Sequence, residues 1–229
     1  MRRPLILALL SLLLFVGLAL PAAHHLLLPG DELVYRTIQA EHSRLLTAFF
    51  STMTKIGSYW VLAPVWAGVL LWLLLNTWNW LLVLFLILYA YSVPQLRAIV
   101  KQAVARPRPS YSLVAKPHFH SYGFPSGHAL AAVAFYGMLL VLWHRRGGRR
   151  GWQWGVTGGL LLLIVLIGVS RIYLGAHWPS DVLGGYALGV AYCSLATAVS
   201  EWMEPKGVRK SPLKIVFDRG FRRQNEAAD

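Results

Sequence analysis

Long uncharged apolar windows alternate with short polar segments along the chain. A membrane-spanning helix needs about 20 predominantly apolar residues. Windows of that kind lie at about 4–20, 56–75, 79–97, 125–144, 152–170 and 182–201. The second and third form one uncharged stretch, 56–96, interrupted only by Asn76-Thr77-Trp78-Asn79. The pattern predicts an all-α integral membrane protein with six transmembrane helices in one membrane domain, 1–205, followed by a basic tail, 206–229. The first window follows Arg2 and Arg3 and is short enough to resemble a signal peptide. No clean small-x-small cleavage site follows at Pro21-Ala22-Ala23, so a retained first helix is expected.

Residues 31–54 follow a different rhythm. Val34, Ile38, Leu45, Phe49 and Met53 recur at roughly helical spacing, with Arg36, Glu41 and Arg44 between them. This predicts an amphipathic helix lying on the membrane surface. A plain helix packed over the bundle reads equally well.

Composition agrees with the pattern. The chain of 229 residues is 56% hydrophobic and 14% charged, against roughly 25% charged for soluble domains. A disordered chain, a coiled coil and an ordinary cytosolic enzyme are excluded. Lys and Arg number 22 against 9 Asp and Glu, a net charge of +13. The basic residues lie in short clusters between apolar runs, which favours membrane topology over nucleic-acid binding. Placing the N-terminus, the 145–150 loop and the tail on the cytoplasmic side puts thirteen basic residues inside and nine outside. The single cysteine, Cys193, forbids an intrachain disulfide and reads as a small packing residue.

In this topology three outward segments hold the chemistry. Lys101 and Arg108, at the end of the third span, are seven residues apart and would share a face if the helix persisted, although Pro107 and Pro109 oppose a regular last turn. Alone, they fit two snorkelling cations better. Pro125-Ser126-Gly127-His128 precedes the fourth span. A helix start with free amides and a glycine suits an anion, and His128 can donate a proton near neutral pH. Its bland alternative is a capped helix with an interfacial histidine. Ser170-Arg171 and His177-x3-Asp181 lie between the last two spans. Asp181 can fix the His177 tautomer and leave the other ring nitrogen as base or nucleophile. It can also be a plain first-turn carboxylate, or pair with Arg171. Together these groups suit phosphoryl transfer without a metal, because fixed donors meet the spreading negative charge. Few outward carboxylates (Asp31, Glu32, Glu41) accompany Asp181, which argues against a two-metal cluster.

Lys-x6-Arg-Pro, Pro-Ser-Gly-His and Ser-Arg-x5-His-x3-Asp stand here as Lys101–Pro109, Pro125–His128 and Ser170–Asp181. In all three, in this order and ungapped, the chain resembles the type 2 phosphatidic acid phosphatase family of integral membrane lipid phosphatases. The resemblance implies a helical fold with its site at the outer leaflet of a bacterial cytoplasmic membrane, facing the periplasm. It implies His177 as nucleophile, Asp181 as its orienting carboxylate and His128 as general acid. Lys101, Arg108, Arg171, Ser126 and the Gly127 amide are then phosphate ligands, with no metal or cofactor. The implied substrate is a membrane lipid phosphate, such as undecaprenyl diphosphate or phosphatidylglycerol phosphate. Arg106 matches no motif position and is expected to face headgroups rather than a second phosphate. His118 and His120 read as loop histidines at headgroup level rather than metal ligands. A lipid phosphotransferase would use the same residues. A transporter or scaffold for anionic lipid would leave the His177/Asp181 spacing unexplained. The oligomeric state is not legible.

Overall fold

The computed structural model describes residues 2–77, 79–112, 121–145 and 150–203. Its helices are α1 (Arg2–Ala23), α2 (Asp31–Ala40), α3 (Arg44–Ile56), α4 (Tyr59–Thr77), α5 (Trp80–Val104), α6 (Gly127–Arg145), α7 (Arg150–Tyr173) and α8 (Pro179–Met203). All but α2 and α3 are long and apolar enough to cross a membrane. At about 1.5 Å per residue, roughly 20 residues cover a 30 Å hydrocarbon layer. Helices satisfy their backbone internally, so leucines can face lipid. Leu9, Leu10, Leu13 and Leu14 of α1, and Leu71, Leu74 and Leu75 of α4, are exposed in this way.

The interior is built on α6 and α8. Apolar side chains gain little by leaving lipid, so membrane helices associate through close contact of small residues. A Cβ on Gly185 would lie 2.6 Å from the Ser126 carbonyl oxygen, and one on Gly189 would lie 2.7 Å from Val133 Cβ. These glycines bring α8 against the start of α6. One turn earlier, the Asp181 carbonyl accepts a hydrogen bond from the Ser126 amide at 2.9 Å. Two of the three motifs are thereby joined through backbone.

Segments 24–58, 105–112, 121–126 and 174–178 gather at one end of the bundle. Arg106 Nη2 donates to the Leu26 carbonyl at 2.9 Å, and the Ser180 amide donates to Asp31 Oδ1 at 2.8 Å. At this end the single amphipathic helix expected over 31–54 is instead two helices. Ser43 is extended, with φ −149°, and its Oγ accepts from the Leu46 amide at 3.2 Å, so it caps a new helix rather than continuing the old one. Gln39 fixes α2 to the bundle, its Nε2 donating to the carbonyls of Ile172 at 3.0 Å and Tyr173 at 2.6 Å. The third span also runs beyond its apolar window, to Val104, and buries Lys101 in its last turn. Tail 206–229, residues 146–149 of the basic loop, and His118 and His120 lie outside the described residues.

Candidate active site

The α5 helix ends at Val104, and Ala105 turns the chain with φ 51°. Lys101 and Arg108 therefore do not project from one helix face; the turn brings them to the site separately. Lys101 is buried, and its Nζ donates to the carbonyls of Tyr122 and Gly123, the latter at 3.2 Å. Arg108 Nε donates to the Ser121 carbonyl at 2.7 Å, and Nη1 donates to the Ala176 carbonyl at 2.8 Å. The same Nη1 lies 3.3 Å from His177 Nε2.

His177 is 2% exposed. Its Nδ1 stands 3.4 Å from Asp181 Oδ2, an oxygen that also accepts the Trp178 amide at 3.0 Å. With Nδ1–H donating to Asp181, the Nε2 lone pair is directed to the Arg108 side, where an anion would sit. Burial first, then Arg108, Arg171, Lys101 and His128, hold the His177 ring well below the usual imidazole range. These influences favour the neutral ring, the form a nitrogen nucleophile requires. Lys101, Arg108, His128 and Arg171 thus all act electrostatically on this one imidazole, and Arg108 reaches it directly. Arg171, at the last turn of α7, is buried, and its Nη1 donates to Thr54 Oγ1 at 2.6 Å.

On the α6 side, Ser126 is fully buried, and its Oγ has no hydrogen-bond partner among the described residues. It precedes the first free amides of a 19-residue helix. His128 is half-buried in the first turn. Residues of all three motifs therefore meet: Arg108 reaches His177, His177 reaches Asp181, and the Ser126 amide reaches the Asp181 carbonyl.

Arg106 departs from its expected place. It is 1% exposed and faces no headgroup. Its Nη1 donates to Asp181 Oδ1 at 2.8 Å and to Ser180 Oγ at 2.7 Å, while Nη2 donates to Asp31 Oδ2 at 2.9 Å. A planar guanidinium can bridge two carboxylates in this way, whereas an ammonium offers no such fork. Asp181 thus pairs with Arg106. Asp31 also accepts the Ser180 amide and hydroxyl, which closes the start of α8. The role of Asp31 had no sequence signal beyond an acidic helix start. Arg97 was also passed over, although it is the first charge after 41 uncharged residues. Among the described residues, no three His, Cys, Asp or Glu side chains are grouped to hold a metal ion.

A family model described as the PAP2 superfamily matches residues 76–204. Phosphatidylglycerophosphatase B of Bacillus subtilis (strain 168) is 27% identical over 198 residues, covering 83% of this chain and 94% of the relative. An undecaprenyl-diphosphatase of Sulfolobus acidocaldarius is 41% identical over 81 residues, covering 35% of this chain and 34% of the relative. The crystal structure of a transmembrane PAP2 type phosphatidylglycerolphosphate phosphatase from Bacillus subtilis matches with a TM-score of 0.76 at 24% identity, over 88% of this chain and 99% of that one. That match is one of fold.

Proposed function

The chain belongs to the PAP2 superfamily, and from that premise we propose that it is a membrane lipid phosphatase working through a phosphohistidine on His177. The observation that carries the reading is the buried His177, tethered at Nδ1 by Asp181 and facing Arg108 at Nε2. The Nε2 lone pair attacks the terminal phosphorus as the bond to the leaving oxygen breaks. His128 delivers its proton to that oxygen, so the lipid leaves as an alcohol or, from a diphosphate, as the monophosphate. Water then attacks the phosphohistidine, giving its proton back to His128, and the P–N bond breaks to release phosphate. Lys101, Arg108, Arg171, Ser126 Oγ and the Gly127 amide meet the equatorial oxygens, where charge spreads in the transition state.

The substrate is an isoprenoid diphosphate or a glycerolipid phosphate such as phosphatidylglycerol phosphate, in keeping with the activities named for the relatives. The site faces the extracytoplasmic side of a bacterial cytoplasmic membrane, a reading supported by the excess of basic residues in the opposite segments. The purified protein, in detergent and excess chelator, is expected to release free phosphate from undecaprenyl diphosphate or phosphatidylglycerol phosphate. Turnover lost in chelator and restored by a divalent ion would overturn the metal-free mechanism. A new phospholipid formed in place of free phosphate would identify a phosphotransferase.

A further inference from the structure

Arg97 lies one helical turn before Lys101 on α5, about 6 Å further toward the membrane interior. It holds no place in the three motifs. Its side chain lies against the start of α6: a Cβ on Gly127 would fall 2.5 Å from Arg97 Cδ and 3.2 Å from Nη1. Its guanidinium sits over the Tyr59 ring, 5.7 Å from the centroid. Arg97 Nε and Tyr59 Oη are both buried atoms without a hydrogen-bond partner among the described residues. Buried polar groups are normally satisfied, so two adjacent orphans, one of them cationic, point to an absent acceptor.

Charge gives the same answer. Arg106 is occupied by Asp31 and Asp181. Among the described residues Arg97 forms no ion pair with a carboxylate, and its charge adds to the crowding at Arg108, which burial chiefly, opposed by Asp181, pushes down to about 10. Around the site stand five cations, Arg97, Lys101, Arg106, Arg108 and Arg171, against the carboxylates Asp31 and Asp181. With Lys101 protonated, the surplus of three positive charges exceeds one phosphate dianion by a single charge.

We propose that Arg97 and Tyr59 form a second anion subsite, on the membrane side of the transferred phosphoryl, for the lipid-proximal phosphate of a substrate carrying two phosphates. The inference rests on the lipid phosphatase reading and narrows its substrate class. An isoprenoid diphosphate and a phosphatidylglycerol phosphate share this feature: a terminal phosphate and a second one nearer the tail. Arg97 lies against Gly127, whose amide is assigned to the transferred phosphoryl, so the two subsites adjoin.

The test compares farnesyl diphosphate with farnesyl monophosphate, which share a tail and differ by one phosphate. In Arg97→Gln, the ratio of kcat/KM for diphosphate over monophosphate is expected to fall about 10–100-fold, the range for a charge-assisted hydrogen bond. Arg97→Lys should recover part of that ratio, and Tyr59→Phe should lower it less. Independently of any variant, methylenediphosphonate should inhibit the wild type more strongly than inorganic phosphate. A ratio unchanged in Arg97→Gln, or equal inhibition by the two anions, overturns the subsite. Wild-type protein that releases phosphate from neither farnesyl substrate nor any other lipid phosphate overturns the phosphatase reading itself.

Discussion

His128→Ala is expected to lose about 10²–10⁴-fold in turnover of a lipid phosphate, the range for removal of a general acid. On an activated aryl phosphate the loss should be far smaller. A lipid alkoxide departs only as its oxygen is protonated, whereas nitrophenolate leaves largely unaided. The variant should therefore change the leaving-group dependence as well as the rate. Steady-state turnover of both substrates by wild type and variant gives the comparison. Equal loss on both would remove His128 from the acid role and make it a phosphate ligand.

Arg106→Met should be the most damaging change to the fold around the site. It leaves Asp31 and Asp181 buried and facing each other without their shared cation. Removing one partner of a buried ion pair costs about 3–5 kcal/mol, because the remaining charge stays desolvated. Here two charges are stranded. Thermal unfolding in detergent should register the loss, and Asp31→Leu placed on the Arg106→Met background should recover part of it by removing one stranded carboxylate. Arg106→Lys should be intermediate, since an ammonium cannot span both carboxylates as the guanidinium fork does. A melting temperature unchanged in Arg106→Met would mean that the network contributes nothing to the fold.

What the sequence made legible is what depends on local order. The spans were legible because the bilayer demands runs of about 20 apolar residues, and the helices α1 and α4 to α8 fall on those runs. His177 and Asp181 were legible as a pair because four residues lead directly into the first turn of α8. Other features were set by distant partners. Arg106 resembles any interfacial arginine until Asp31 and Asp181, each 75 residues away, enclose it. The break at Ser43 follows from a cap within an otherwise periodic segment. The helix does not persist to Arg108, as Pro107 and Pro109 suggested, but the left-handed turn at Ala105 that ends it had no signal of its own. Arg97 was visible as the charge that ends the apolar stretch, but its place beside Gly127 depends on how α5 meets α6. An ionisable residue at the edge of a span is itself a signal of function.

The central claim is covalent. Wild-type protein quenched during turnover of a terminally labelled lipid diphosphate should carry acid-labile, base-stable label, located on His177 by peptide mapping. His177→Ala should carry none and turn over neither lipid nor aryl phosphate. Label that persists in His177→Ala, or wild-type turnover with no phosphoenzyme under conditions that slow its hydrolysis, would contradict the account.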